Sequence, residues 1–285
     1  MNVRMNGMNV IDAIVELTKA SWRVLRRHPS LAWFPILSLA VVMTFLIAIS
    51  PILDPGDGDG GEVSMLVIFG ITLCMHAIQV FFTASLTTEA LKALRGETPG
   101  IACGIGAALE RAPAIVGLSL VTGTVGFGLS LLGRCRWTAV RVARSLVGTA
   151  WSLATYLAIP VMVQERRGAV PSLKRSGDLF RRTWGETTLS EVGVRVVTVH
   201  LTLILVLLAV AIVRIFGDSP LVLLVLLAMF AAFIGVIGAL EAIYRAALYV
   251  FASEGVVPAP FGGPELDAIW QVKPTPSDDE PPPSA

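Results

Sequence analysis

Between Leu31 and Ala252 the chain carries six stretches of about twenty mostly apolar residues, the length that crosses a bilayer core of roughly 30 Å as a helix. Inside lipid every backbone amide must find its partner within the chain, which leaves helices or a closed barrel. The runs are too long and too uniformly apolar for barrel strands, which alternate over about ten residues. The fold class is therefore all-α: a polytopic helical membrane protein. Hydrophobic residues make up 54% of the chain and charged residues 15%, against about 25% charged in soluble domains. A soluble core could not hide that much apolar surface.

The six transmembrane spans are expected at 31–50, 64–86, 113–133, 146–164, 194–216 and 219–241, the last continuing helically to Ala252. They form a domain over 31–252. Residues 1–30 form an amphipathic N-terminal segment. Ile11, Ile14, Val15, Trp22 and Leu25 fall near one helical face, and Asp12, Glu16, Lys19, Arg23 and Arg26 on another. Such a helix lies in the headgroup layer. Its acidic and basic residues leave no uninterrupted apolar core for a cleaved signal peptide, so the first span is expected to act as its own insertion signal. Residues 253–285 run into Pro and acid (PTPSDDEPPPSA) and are expected to be a disordered tail.

Loop charge sets the orientation. With a cytoplasmic N-terminus, 17 Lys and Arg fall inside and 5 outside. Both termini are then cytoplasmic, in the plasma (inner) membrane of a bacterium. The arginine-rich loop 134–145, RCRWTAVRVARS, breaks the pattern and is expected to lie as an interfacial helix with its arginines reaching for headgroups. The segments before the odd-numbered spans resemble one another, each a short helix with a basic end. This suggests a threefold repeat of cytoplasmic surface helix plus hairpin.

Polar groups at lipid depth are costly and therefore informative. His76 and Gln79 fall in the second span and His200 early in the fifth. Each is read first as an interhelical hydrogen bond, second as a ligand position. Pro160 near the end of the fourth span removes one backbone bond, read as a packing bend or as an opening for a cavity. Glu241 and Arg245, four apart on one face, make a helical ion pair. Glycines of spans three and six (Gly117, Gly123, Gly126, Gly128, Gly235, Gly238) are read as close-packing faces within the chain, or as a homo-oligomer seam. Gly100–Gly106 lacks the Lys-Ser/Thr ending of a phosphate loop, and no zinc or nucleophile-elbow motif is present. The three cysteines, Cys74, Cys103 and Cys135, are too scattered for a metal site or disulfide framework. No catalytic, cofactor or metal residues are assigned, and a net charge of +1 gives no field for nucleic acid.

The stretch WSLATYLAIPVMVQERRGAVPSLKRSGDLFRRTWGE, from Trp151, carries Trp-Ser-x-x-Thr, Pro160, Glu165, Gly-x-x-x-Ser-x-x-x-Ser and Thr-Trp-Gly-Glu in order. Together with RRHPSLAWFPILS and ALYVFASEGVVPAPF it resembles a family of bacterial and archaeal six-span membrane proteins filed as a domain of unknown function. The resemblance runs from about Trp22 to Phe261. It implies a fold and a membrane location, and no activity.

Two functions follow as expectations. The first is a non-enzymatic structural or partner-binding membrane component whose basic cytoplasmic face meets anionic lipids or another protein. The second is a small-molecule permease or exporter with its site between spans two, four and five, near His76, Pro160 and His200. A polar cavity in the membrane would favour the second, and a filled core the first.

Overall fold

The computed structural model describes residues 10–53, 65–132, 147–148, 150–184, 219–263 and 270. All regular structure among them is helical. The elements are α1 (Val10–Arg27), a 3-10 turn (Pro29–Ala32), α2 (Trp33–Leu53), α3 (Met65–Leu94), α4 (Ile101–Glu110) and α5 (Ala112–Leu132). After them come α6 (Ala150–Gln164), α7 (Ala169–Trp184) and α8 (Pro220–Glu254). The fifth expected span, 194–216 with His200, and the loop 134–145 with Cys135 lie outside the described residues.

Among the described residues, four helices are long and apolar enough to cross a membrane: Pro29–Pro51, which includes the 3-10 turn, then α3, α5 and α8. Large apolar side chains on them stand outward, among them Ile47, Leu66 and Leu221, each at least 70% exposed. In water such a surface would aggregate; in lipid it is solvated. The expected span 146–164 is not one continuous helix of that length. Its described part, α6, is shorter and breaks at Leu157. Pro160 has no N–H to give the Tyr156 carbonyl, and the Leu157 N–H donates instead to the buried Ser176 Oγ of α7 at 3.0 Å.

α3 and α8 overshoot the bilayer. At about 1.5 Å per residue their 30 and 35 residues span about 45 and 52 Å. The buried core gathers where they overshoot. On α3 the buried positions begin at Val80 and run to Ala93, and on α8 nearly every residue from Ala242 to Phe251 is buried. Leu31, Phe34, Leu91, Ile243 and Phe261 close this core, each no more than 2% exposed. We call this the basic end of the bundle, since Arg23, Arg26, Arg27, Lys92 and Arg95 cluster at the same helix ends. α3 is its axis and packs against α2, α4, α5, α6 and α8.

The surface helices α1, α4 and α7 fall where the sequence placed them, with Cys103 on α4. The apolar face of α1 is divided. Leu17, Ala20, Val24 and Leu25 are buried, against α8 and the turn Ala259–Phe261. Val15 and Trp22, which the sequence groups with Leu25, are more than 40% exposed. The helix therefore has one apolar flank for the protein and one for its surroundings. The first residues assigned to the tail are packed as well. α8 ends at Gly255 in the left-handed conformation, Arg23 donates to the Pro260 carbonyl at 3.0 Å, and Phe261 is fully buried. The Trp270 indole N–H donates to the Phe261 carbonyl at 3.1 Å, and its ring sits 4.9 Å from that of Phe251.

Candidate functional site

The helices α2, α3 and α8 pack against one another in pairs. The approach of α8 to α2 depends on glycine: a Cβ on Gly235 would stand 2.9 Å from the Ala32 carbonyl oxygen, and one on Gly238 2.9 Å from the Pro35 ring. The three helices do not fill the space between them. They enclose a cavity of about 300 Å³. Its polar lining comes from Ser38 on α2, Gln79 and Thr83 on α3, and Glu241 and Arg245 on α8.

Glu241 and Arg245 are one turn apart, so both point to the same side of α8 and form an ion pair. Their side chains are 44% and 29% exposed, so the pair faces open space rather than packed protein. The guanidinium is further held by the Tyr156 ring of α6, with Cζ 4.9 Å from the centroid. About 32 Å of helix separate Pro220 from Glu241, roughly one bilayer core. With α8 starting at one membrane face, the pair reaches the other, at the basic end.

Three of the polar residues singled out from sequence, Gln79, Glu241 and Arg245, thus meet in one cavity, with Gly238 beside them. His76 and Pro160 do not. His76 lies on another face of α3, where its Nε2 bonds the Thr122 hydroxyl of α5 at 2.8 Å. Gly123 of α5 lets that contact form, since a Cβ there would stand 2.8 Å from Leu73 and 3.3 Å from His76. Pro160 is buried in the packing of α6. Neither lines the cavity, and His200 is outside the described residues. The cavity is lined by α2, α3 and α8.

The model of a family of unknown function, DUF6159, matches residues 62–259, more than half of the chain. The chain belongs to that family. No curated protein and no solved structure matches it. The DUF6159 match takes in α3 to α8 and so most of the cavity. The α2 wall, with Pro35, Ser38, Leu39 and Val42, lies before it.

Within the DUF6159 match, polar groups at the basic end tie the helices together. Glu165, just after α6, accepts from Arg167 at 2.7 Å and Arg175 of α7 at 3.2 Å. Arg95, just after α3, pairs with Glu254 of α8 at 2.9 Å. With its amide oxygen turned toward Arg95, Gln164 of α6 accepts from the same guanidinium at 2.8 and 2.9 Å.

Sequence reasoning passed over Glu89. It is fully buried, accepts from Lys92 Nζ at 2.7 Å, and takes the backbone N–H of Gly100, the residue that caps α4, at 2.7 Å. Gly104 presses on it; a Cβ there would stand 2.8 Å from both Glu89 Cγ and Phe34 Cζ. A carboxylate at a helix N-terminus also meets the positive end of the helix dipole. The signal available in sequence was a lone Glu inside an apolar helix three residues before a Lys.

Proposed function

We propose that the chain is a non-enzymatic, multi-pass membrane component that holds a small polar or amphiphilic molecule between α2, α3 and α8. The observation that carries this is the ion pair Glu241–Arg245 facing a cavity of about 300 Å³ rather than packed protein. An ion pair at the edge of the hydrocarbon layer that lines open space, rather than packed protein, is placed to meet a polar group. We read the chain as six spans in a plasma membrane, built on a threefold repeat, with both termini cytoplasmic. The basic end, with the outward flank of α1 (Val15 and Trp22), then rests on anionic lipid.

Ligand binding is tested on the full chain in mild detergent, by thermal stability across a panel of lipids and polar solutes. A true ligand at 100 times its Kd stabilises by about 2.7 kcal/mol, and the Glu241→Gln/Arg245→Gln variant should lose that gain. If no compound raises the melting temperature, the reading falls. The permease or exporter alternative uses the same cavity and is favoured if solute flux into vesicles depends on this pair.

Orientation has its own test. In a Cys135→Ser background, Cys103 is the exposed thiol of the basic end, while exposed Cys74 lies mid-span on α3. A membrane-impermeant maleimide should label Cys103 in inside-out vesicles and leave both thiols unlabelled in right-side-out ones. The reverse pattern would put the basic end outside.

A further inference from the structure

Phe82 borders two cavities of different character. On one side is the cavity with Glu241 and Arg245, whose lining is mixed, with Leu39, Val42 and Leu86 beside the polar groups. On the other, between α2, α3 and α5, is a groove of about 400 Å³ whose lining is wholly apolar, including Val41, Ile78, Phe81, Ile115 and Val116. The two lie on either side of the seam where α2 packs on α3. Phe81, on the groove side, meets Phe82 edge to face, with centroids 5.4 Å apart and planes at 88°. The Phe82 ring therefore stands between a cavity that holds an ion pair and a groove with no polar lining.

A cavity that holds an ion pair and an apolar groove beside it match a molecule with a polar head and an acyl chain. The lining also fixes the charge of the head. The cavity offers one carboxylate and one guanidinium, paired with each other, beside the neutral Ser38, Gln79 and Thr83. An anionic head would be set against Glu241, and a cationic head against Arg245. A head carrying both charges meets both, phosphate toward Arg245 and ammonium toward Glu241. The net charge in a weakly screening site then stays zero.

We propose that the occupant is a zwitterionic phospholipid, its head at Glu241 and Arg245 and one acyl chain passing Phe82 into the groove between α2, α3 and α5. This rests on the reading of the polar cavity as a ligand site.

The test is native mass spectrometry of the full chain with three probes: phosphatidylethanolamine, phosphatidylglycerol and chainless glycerophosphoethanolamine. Phosphatidylethanolamine should be retained about tenfold more than phosphatidylglycerol, the effect of one charge-assisted hydrogen bond. The chainless compound should not compete with it. Phe82→Trp, which enlarges the ring between the cavity and the groove, should lower phosphatidylethanolamine retention by about the same factor with an unchanged melting temperature. Ile78→Trp, which narrows the groove away from the polar cavity, should do likewise and serves if Phe82→Trp does not fold. Equal retention of the two lipids overturns the zwitterionic match. Binding of the chainless compound as strong as that of the lipid, unmoved by either tryptophan, overturns the lipid and leaves the ligand site standing. Retention of none of the three overturns the phospholipid as occupant; the solute panel above then decides whether the site itself stands.

Discussion

Substituting Lys92 by Met is expected to lower the stability of the chain by about 3 kcal/mol, more than substituting Glu89 by Gln. Breaking a buried ion pair costs about 3–5 kcal/mol when it strands the buried charge. Here the buried partner is Glu89, with a side chain fully out of solvent, while Lys92 is 32% exposed. That exposure sets the cost at the lower end of the range. Lys92→Met leaves the carboxylate with the Gly100 N–H and little else. Glu89→Gln removes the charge instead of stranding it, and its amide oxygen can still accept from Gly100. That change costs about 1–2 kcal/mol, near the net worth of one hydrogen bond. Equilibrium unfolding in detergent measures both. A larger loss for Glu89→Gln than for Lys92→Met would mean that Glu89 does not depend on Lys92 for its charge.

Phe34→Ala is expected to cost about 3–5 kcal/mol, the usual range for an aromatic ring removed from a filled core. Phe34 is 1% exposed and stands at the start of α2, facing Gly104 of α4. Its removal leaves a void at the basic end, where the helices are most closely packed. Gly104→Val alone overfills the same place and costs about 1–3 kcal/mol. The two changes compensate. In the double variant the valine occupies part of the space the ring has left. The combined loss should then fall short of the sum by about 1 kcal/mol, within the range of coupling between touching residues. Additive losses would show that Phe34 and Gly104 do not share one packing site.

The membrane helices were legible because hydropathy summed over a window reports one physical choice, lipid against water. Four of the six expected stretches are helices of spanning length. The surface helices were legible from charge and apolar residues alternating at helical spacing. Helix pairing was not, since lipid is as apolar as leucine and does not tell one apolar face from another. Glu241–Arg245 could be read from a four-residue spacing, but its meeting with Gln79 required knowing that α8 lies beside α3. Glu89 was missed for the same reason. Its burial is made by Phe34 and Gly104, the former 55 residues away in sequence. Pro160 announced a break and not what meets it, since the Ser176 hydroxyl that accepts from the Leu157 N–H at the break belongs to the next helix. The division of the α1 face depends on a turn near residue 260 that no local pattern of α1 encodes.

The docking of α1 against the end of α8 and the Ala259–Phe261 turn has a consequence for synthesis. α1 finds its seat only after α8 and the turn that follows it have been made. At about 5–20 residues per second, the 234 residues between Arg27 and Phe261 take roughly ten to fifty seconds. For that interval Leu17, Ala20, Val24 and Leu25 have no protein to lie on. The contact between α1 and the Ala259–Phe261 turn is therefore made late, after the spans between them exist.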